Sequence, residues 1–192
     1  MNPPKQSAAI PGDATAAPPE ETSSVVALHA DGSQPARTAL LPLMAESPQF
    51  RWNTSLVANQ GAGPNARLRA RPWLTVGHWP GNVDQAARVA DKLVDNAVTH
   101  GKAFPDGCIA LRMIVLAGTD ELLIEVDDAL PDFPNFEQAA ALTGEIKGQP
   151  TGLWWVAHYR GRLYWDTKKS ADDVVVGKTV QAILPPNWGV PE

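Results

Sequence analysis

Apolar side chains recur at Val83, Ala86, Ala87, Ala90, Leu93, Val94 and Ala97, a spacing that predicts one amphipathic helix with a single apolar stripe. Asn82, after Pro80-Gly81, suits its N-cap, and Gly101 after His100 suits its stop. Lys92, Asn96 and His100 fall one turn apart on a different face, so they cannot share the core with that stripe. Elsewhere the period shortens to two. Phe50 to Val57 predicts a first strand with Trp52 and Leu56 on one face. Cys108 to Leu116 and Glu121 to Asp127 predict two strands joined by a hairpin turn at Gly118-Thr119-Asp120. Arg162 to Thr167 and Lys178 to Leu184 predict the last two. Asn135-Phe136-Glu137-Gln138 resembles a capping box opening a short helix that reaches about Leu142, and Gly152 to Tyr159 reads as another helix. From Gly63 to Trp79 the pattern leaves helix and strand open. Pro64 suits a first helical turn, Pro72 opposes a regular helix, and Leu74-Thr75-Val76 would suit a strand. These elements predict an α/β (α+β) two-layer sandwich, a mostly antiparallel mixed sheet with helices on one face.

Residues 1 to about 48 are rich in Pro, Ala, Ser and Thr, with no sustained apolar period. Such a stretch buries too little to offset its ordering entropy and is expected to stay disordered. It holds two small apolar islands, Val25-Val26-Ala27-Leu28 and Leu40-Leu41-Pro42-Leu43-Met44, which read as chance clusters in a linker or as short partner-binding motifs. The expected division is a tail over 1–48, one domain over 49–186 and a short tail over 187–192. An apolar fraction of 44% with seven tryptophans supplies a real core. A net charge of −5 and a pI of about 5.3 argue against nucleic acid or an anionic membrane as the main partner. The single cysteine, Cys108, allows no internal disulfide, suits a reducing cytoplasm, and reads as a strand residue rather than a nucleophile. No signal peptide is apparent, and no apolar run approaches the roughly 20 residues that span a bilayer. The expectation is a soluble cytoplasmic protein. His29, His78, His100 and His158 show no metal-ligand spacing.

The helix ends in LVDNAVTHG, Leu93 to Gly101, and three further pieces follow in order: LLIEVDDALP, TGLWWV and GKTVQAILP. Together they resemble the GHKL ATPase superfamily of histidine kinases, Hsp90-type chaperones and anti-sigma-factor serine kinases. The helix resembles its N box, and in particular that of the small actinobacterial ATP-binding regulators related to anti-sigma-factor kinases, which reads close to SELVTNAVRHG. The resemblance covers roughly residues 50 to 186. It implies a Bergerat-type ATP-binding fold, and it places a helix, expected to break near Pro72, in the stretch that pattern left open.

An asparagine on the flank of a core helix can offer its amide oxygen to a hard cation, and the resemblance gives Asn96 to magnesium. It gives Asp128, at the end of a strand anchored by Leu122, Ile124 and Val126, the task of accepting a hydrogen bond from the adenine amine. Asp127 points to the opposite side. Gly152-Leu153 resembles the end of the family's G-x-G-L element, where backbone amides receive phosphates. Here Pro150 stands at the first glycine position and has no N–H to donate, while Thr151 can still offer a hydroxyl. Gly177-Lys178-Thr179 resembles the GKT that begins the last strand, with Thr179 beneath the adenine and helping to hold Asp128. No glycine lies five residues upstream of Gly177, so this is not a P-loop. The kinase members carry a glutamate base where this chain has Lys92. A lysine of ordinary pKa, about 10.4, is protonated at neutral pH and takes no proton from an attacking hydroxyl, though it can neutralise a phosphate. Asp91 and Asp95 each lie about 100° around the helix and do not replace it. Asp95 is placed instead to pair with Lys92. His100, at the helix end, reads as a capping or packing residue.

Three readings follow from the resemblance. In the first, the chain is an ATP-binding regulatory protein that uses ATP and Mg to order a lid over Leu130 to Pro150 and so gates binding of a protein partner: a sigma factor, an anti-sigma antagonist or another regulator. A homodimer is compatible with it. In the second it is an active serine/threonine kinase, against which Lys92 and Pro150 count. In the third it is a pure interaction module without nucleotide, because Leu130 replaces a small residue two positions after Asp128 and can fill part of the adenine pocket.

Overall fold

The alternation read in five stretches becomes one five-stranded sheet. The computed structural model describes residues 48–140 and 152–187, running β1 (Phe50–Val57), α1 (Ala62–Val76), α2 (Val83–His100), β2 (Cys108–Val115), β3 (Leu122–Asp128), α3 (Phe136–Ala140), α4 (Trp154–His158), β4 (Arg162–Lys169) and β5 (Val175–Leu184). Of the expected tails over 1–48 and 187–192, residues 1–47 and 188–192 lie outside the described residues, as do Leu142, Pro150 and Thr151. The strand order is β1-β2-β3-β5-β4, and each of these neighbours pairs antiparallel, which makes the fold α+β. Among the described residues no helix is long and apolar enough to cross a membrane.

Strand parity sorts the sheet into two faces. On one, Leu122, Ile124 and Val126 of β3 align with Met113 and Leu111 of β2 and with Leu184, Ala182 and Val180 of β5. The helices pack here: Ala86, Ala90, Leu93 and Ala97 of α2, with Ala66, Ala70 and Leu74 of α1, share a single core with Trp52 and Leu56. The opposite face carries a small second cluster, Ile114, Leu123 and Ile183, and beside it a polar network. There Arg112 donates to Glu125 Oε2 at 2.7 Å and forks onto both oxygens of Asp127 at 2.6 and 2.8 Å. Lys168 reaches Asp127 at 2.7 Å, and Gln181 donates to Glu125 Oε1 at 2.6 Å.

Local chemistry sets the element ends. Asn82 is extended (φ −78°, ψ 102°) and accepts from the Gln85 N–H at 3.1 Å, the N-cap expected of it. The β2–β3 hairpin turns through Gly118 and Asp120, both at positive φ, and the Trp79 indole N–H donates to the Asp120 carbonyl at 2.9 Å. Two expectations need correction. α1 runs unbroken through Pro72, because Pro72 and Leu68 are both exposed and the carbonyl that loses its donor opens to water, while the buried stripe Ala62, Ala66, Ala70 and Leu74 holds the helix against the core. Asn135 does not take the extended backbone of an N-cap: its φ is 62°; α3 begins directly after it, and the expected helix end near Leu142 lies outside the described residues.

Candidate functional site

The polar flank of α2 opens on a cleft. Asn96 and His100 line one wall. Asp132, Phe133, Pro134 and Asn135, between β3 and α3, line the other, with Gly152 and Leu153 at the approach to α4 and Lys178 of β5 below. The volume is about 460 Å³, inside the range of small-molecule sites. Phe133 is backed by two rings, Phe136 edge-on at 5.2 Å and Trp165 at 6.0 Å, so the far wall is a braced aromatic surface. Asn96 makes no side-chain hydrogen bond among the described residues, which leaves its amide available to the cleft.

Of the residues singled out in the sequence, Asn96, Gly152 and Leu153 come together here. Thr151 lies outside the described residues. Gly152 sits over the Lys92 turn of α2, where a Cβ would stand 3.4 Å from the Lys92 carbonyl oxygen. Lys92 itself does not line the cleft; its ammonium lies 3.6 Å from Asp95, the i,i+3 pairing expected. Neither neighbouring acid, Asp91 nor Asp95, is among the cleft-lining residues. Asp91 is buried toward Gly63 of α1, and burial raises its carboxyl above the ordinary range.

Asp128 lies behind this cleft and does not line it. It is fully buried. Its Oδ1 receives the Lys178 ammonium at 2.9 Å, the Leu130 N–H at 2.9 Å and the Lys102 N–H at 3.4 Å. Its Oδ2 is buried without a partner, an unusual state for a carboxylate oxygen. Two glycines of the resembled motifs make room for it. A Cβ on Gly101 would stand 2.6 Å from the Asp128 Cγ, so the helix end comes this close only as glycine; its φ of −98° shows that close approach, not a left-handed stop, is the reason. Gly177 packs in the same way on the Asp128 backbone.

Thr179 departs from its expected place. The register pairs Asp127 with Thr179 and Asp128 with Lys178, so Thr179 stands on the opposite face and donates to Asp127 Oδ1 at 2.7 Å. It does not hold Asp128; Lys178 does. Lys178, His100 and Phe133 are the cleft residues whose role sequence reasoning missed. Lys178 was legible by parity, since Lys178, Val180, Ala182 and Leu184 alternate onto the helix face. Leu130 lies outside the cleft lining, donating its N–H to Asp128 and accepting from Lys178 at 3.2 Å through its carbonyl.

The fold and site thus define an α+β sandwich with a cleft of small-molecule dimensions between its long helix and an aromatic wall. No family model matches the chain, and no curated protein matches it. Solved structures with partial likeness include the mycobacterial sensor histidine kinase MprB, at 19% identity over 55% of this chain and 74% of that one, with a TM-score of 0.37. Another is the histidine kinase domain of the blue-light activated histidine kinase EL346 from Erythrobacter litoralis, at 18% identity over 54% of this chain and 44% of that one, with a TM-score of 0.34.

Proposed function

We propose that this chain is an ATP-binding regulatory module whose nucleotide state sets its affinity for a protein partner, with little or no phosphotransfer of its own. The observation that carries the reading is the convergence of Asn96 with Gly152-Leu153, distant from it in sequence, on one cleft with an aromatic wall. In this reading Phe133 stacks on the base, and the amides at Gly152 and Leu153 receive phosphate. Asn96 alone is too poor a site for a free cation. It suits magnesium already held by phosphates and water, as that ion is usually bound. The sequence resemblance to anti-sigma regulators supplies the partner class, a sigma factor, an anti-sigma antagonist or another regulator. Gating requires that ATP bind one state of the lid expected over Leu130 to Pro150, of which residues 141–150 lie outside the described residues, better than the other.

Phosphotransfer is disfavoured because α2 brings no carboxylate to the cleft: Lys92 pairs with Asp95, and Asp91 is buried under α1. A second reading, a fold that has given up nucleotide and serves only as an interaction module, is favoured by one observation. The carboxylate in the adenine-reading position is sealed behind Lys178. Tryptophan fluorescence separates the two, since Trp154 and Trp155 adjoin Gly152-Leu153. Under the first reading ATP with magnesium gives a saturable change that Asn96→Ala weakens roughly tenfold, a loss of about 1.4 kcal/mol. Under the second there is no change at millimolar ATP.

A further inference from the structure

The floor of the cleft has the opposite polarity to the one its sequence motif announces. Asp128, the acceptor expected to read an amine, does not line the cleft, and Lys178 does. Asp128 is also held back: its Oδ1 receives three donors, and Gly101 and Gly177 close on it where a Cβ would not fit. Lys178 is 3% exposed, and its ammonium carries three N–H donors. Two are taken, by Asp128 Oδ1 at 2.9 Å and by the Leu130 carbonyl at 3.2 Å. The third has no acceptor among the described residues, and a shielded charged donor left unpaired is costly. Its acceptor has to come from the cleft, the open space that Lys178 lines.

Resting on the reading of this cleft as a nucleotide site, we infer that Lys178 reads the base and selects a purine with an oxygen at position 6 over one with an amine there. The Lys178 Nζ lies 5.9 Å from the centroid of the Phe133 ring, so the edge of a base stacked on that ring passes within reach of the ammonium. A 6-oxopurine edge presents two neighbouring acceptors, the 6-oxygen and N7, and lysine is a recurrent partner of that pair. Adenine sets a donor, its 6-amine, beside N7. An amine facing an ammonium makes no hydrogen bond, because both groups only donate. Asp128 becomes a positioning residue, fixing the ammonium and balancing its charge. Asp132 is the carboxylate that lines the cleft among the described residues. It stands exposed on the wall with Oδ1 engaged by the Phe133 N–H, and solvent weakens its competition for an amine. ATP still binds, since Asn96 and Gly152-Leu153 face the triphosphate whichever base it carries.

The test is calorimetry on the full chain with magnesium, comparing ATP with inosine triphosphate, which differ only at N1 and position 6 of the base. The expected result is inosine triphosphate bound roughly fivefold more tightly, the lower end of what one good base contact supplies. In Lys178→Met with Asp128→Asn, which removes the donor and its counter-charge together, the ratio of the two affinities should fall to about one. ATP bound as tightly as inosine triphosphate, or more tightly, would overturn the inference and leave the nucleotide site standing, with an acceptor reading the amine. A preference for inosine triphosphate that survives in the double variant would belong to another residue, and overturns the inference as well. No binding of either triphosphate removes the nucleotide site and the role of Lys178 with it. The comparison in the unaltered chain needs no variant to fold, so it decides the matter by itself.

Discussion

At the scale of single residues, the buried pair Lys178–Asp128 and the network around Asp127 carry the most energy at stake. Lys178 and Asp128 are shielded from water and closed by backbone donors. Lys178→Met leaves the carboxylate buried and unpaired, and is expected to cost about 3–5 kcal/mol in urea unfolding. Adding Asp128→Asn removes the stranded charge, so the double variant should recover much of that loss. A double variant no more stable than the single one contradicts the charge-pair account. For Asp127, burial pulls its carboxyl upward, but hydrogen bonds from Arg112, Lys168 and Thr179 outweigh burial and hold it below the usual range. A carboxyl lowered in the folded state stabilises fully above its unfolded pKa of about 3.9, and that contribution is lost as pH falls through the lower folded value. Asp127→Asn should therefore cost stability at pH 6 and progressively less below pH 4, as read from urea midpoints across that window.

At the scale of elements, the helices test local rules against packing. Asn82→Ala removes the cap of α2 and is expected to cost about 1 kcal/mol. Pro72→Ala restores an intrahelical bond in α1. It should stabilise by on the order of 1–2 kcal/mol, the helix-interior penalty of about 3 kcal/mol being partly offset by a freer unfolded chain. Both are read by thermal unfolding. The elements that the sequence announced most clearly are those with one strong period: α2 from its stripe, and β3 from Leu122, Ile124 and Val126. α1 was obscured because its penalty at Pro72 is local while its reward, an alanine seam against α2, depends on the partner. The capping box at Asn135 failed for a related reason. The spacing was right, but the chain turns into α3 through a left-handed residue, and spacing carries no φ.

At the scale of the whole molecule, the fold positions a cleft more clearly than it positions a chemistry. The placing of Asn96, Gly152 and Leu153 was legible because each belongs to a motif with a fixed relation to a helix. The true relation of Asp128, Lys178 and Thr179 required the strand register, which sets Lys178 opposite Asp128 and sends Thr179 to the other face. The aromatic wall of Phe133, Phe136 and Trp165 joins residues from α3, its approach and β4, and only the folded chain brings them together. The central claim is that the cleft holds ATP with magnesium, and isothermal calorimetry on the full chain tests it most directly. The account predicts saturable one-to-one binding that depends on magnesium, weakens roughly tenfold in Asn96→Ala, and persists in Lys92→Ala because that side chain stands outside the cleft. No heat of binding at millimolar ATP, from a chain whose circular dichroism and thermal unfolding show it folded, would contradict the account.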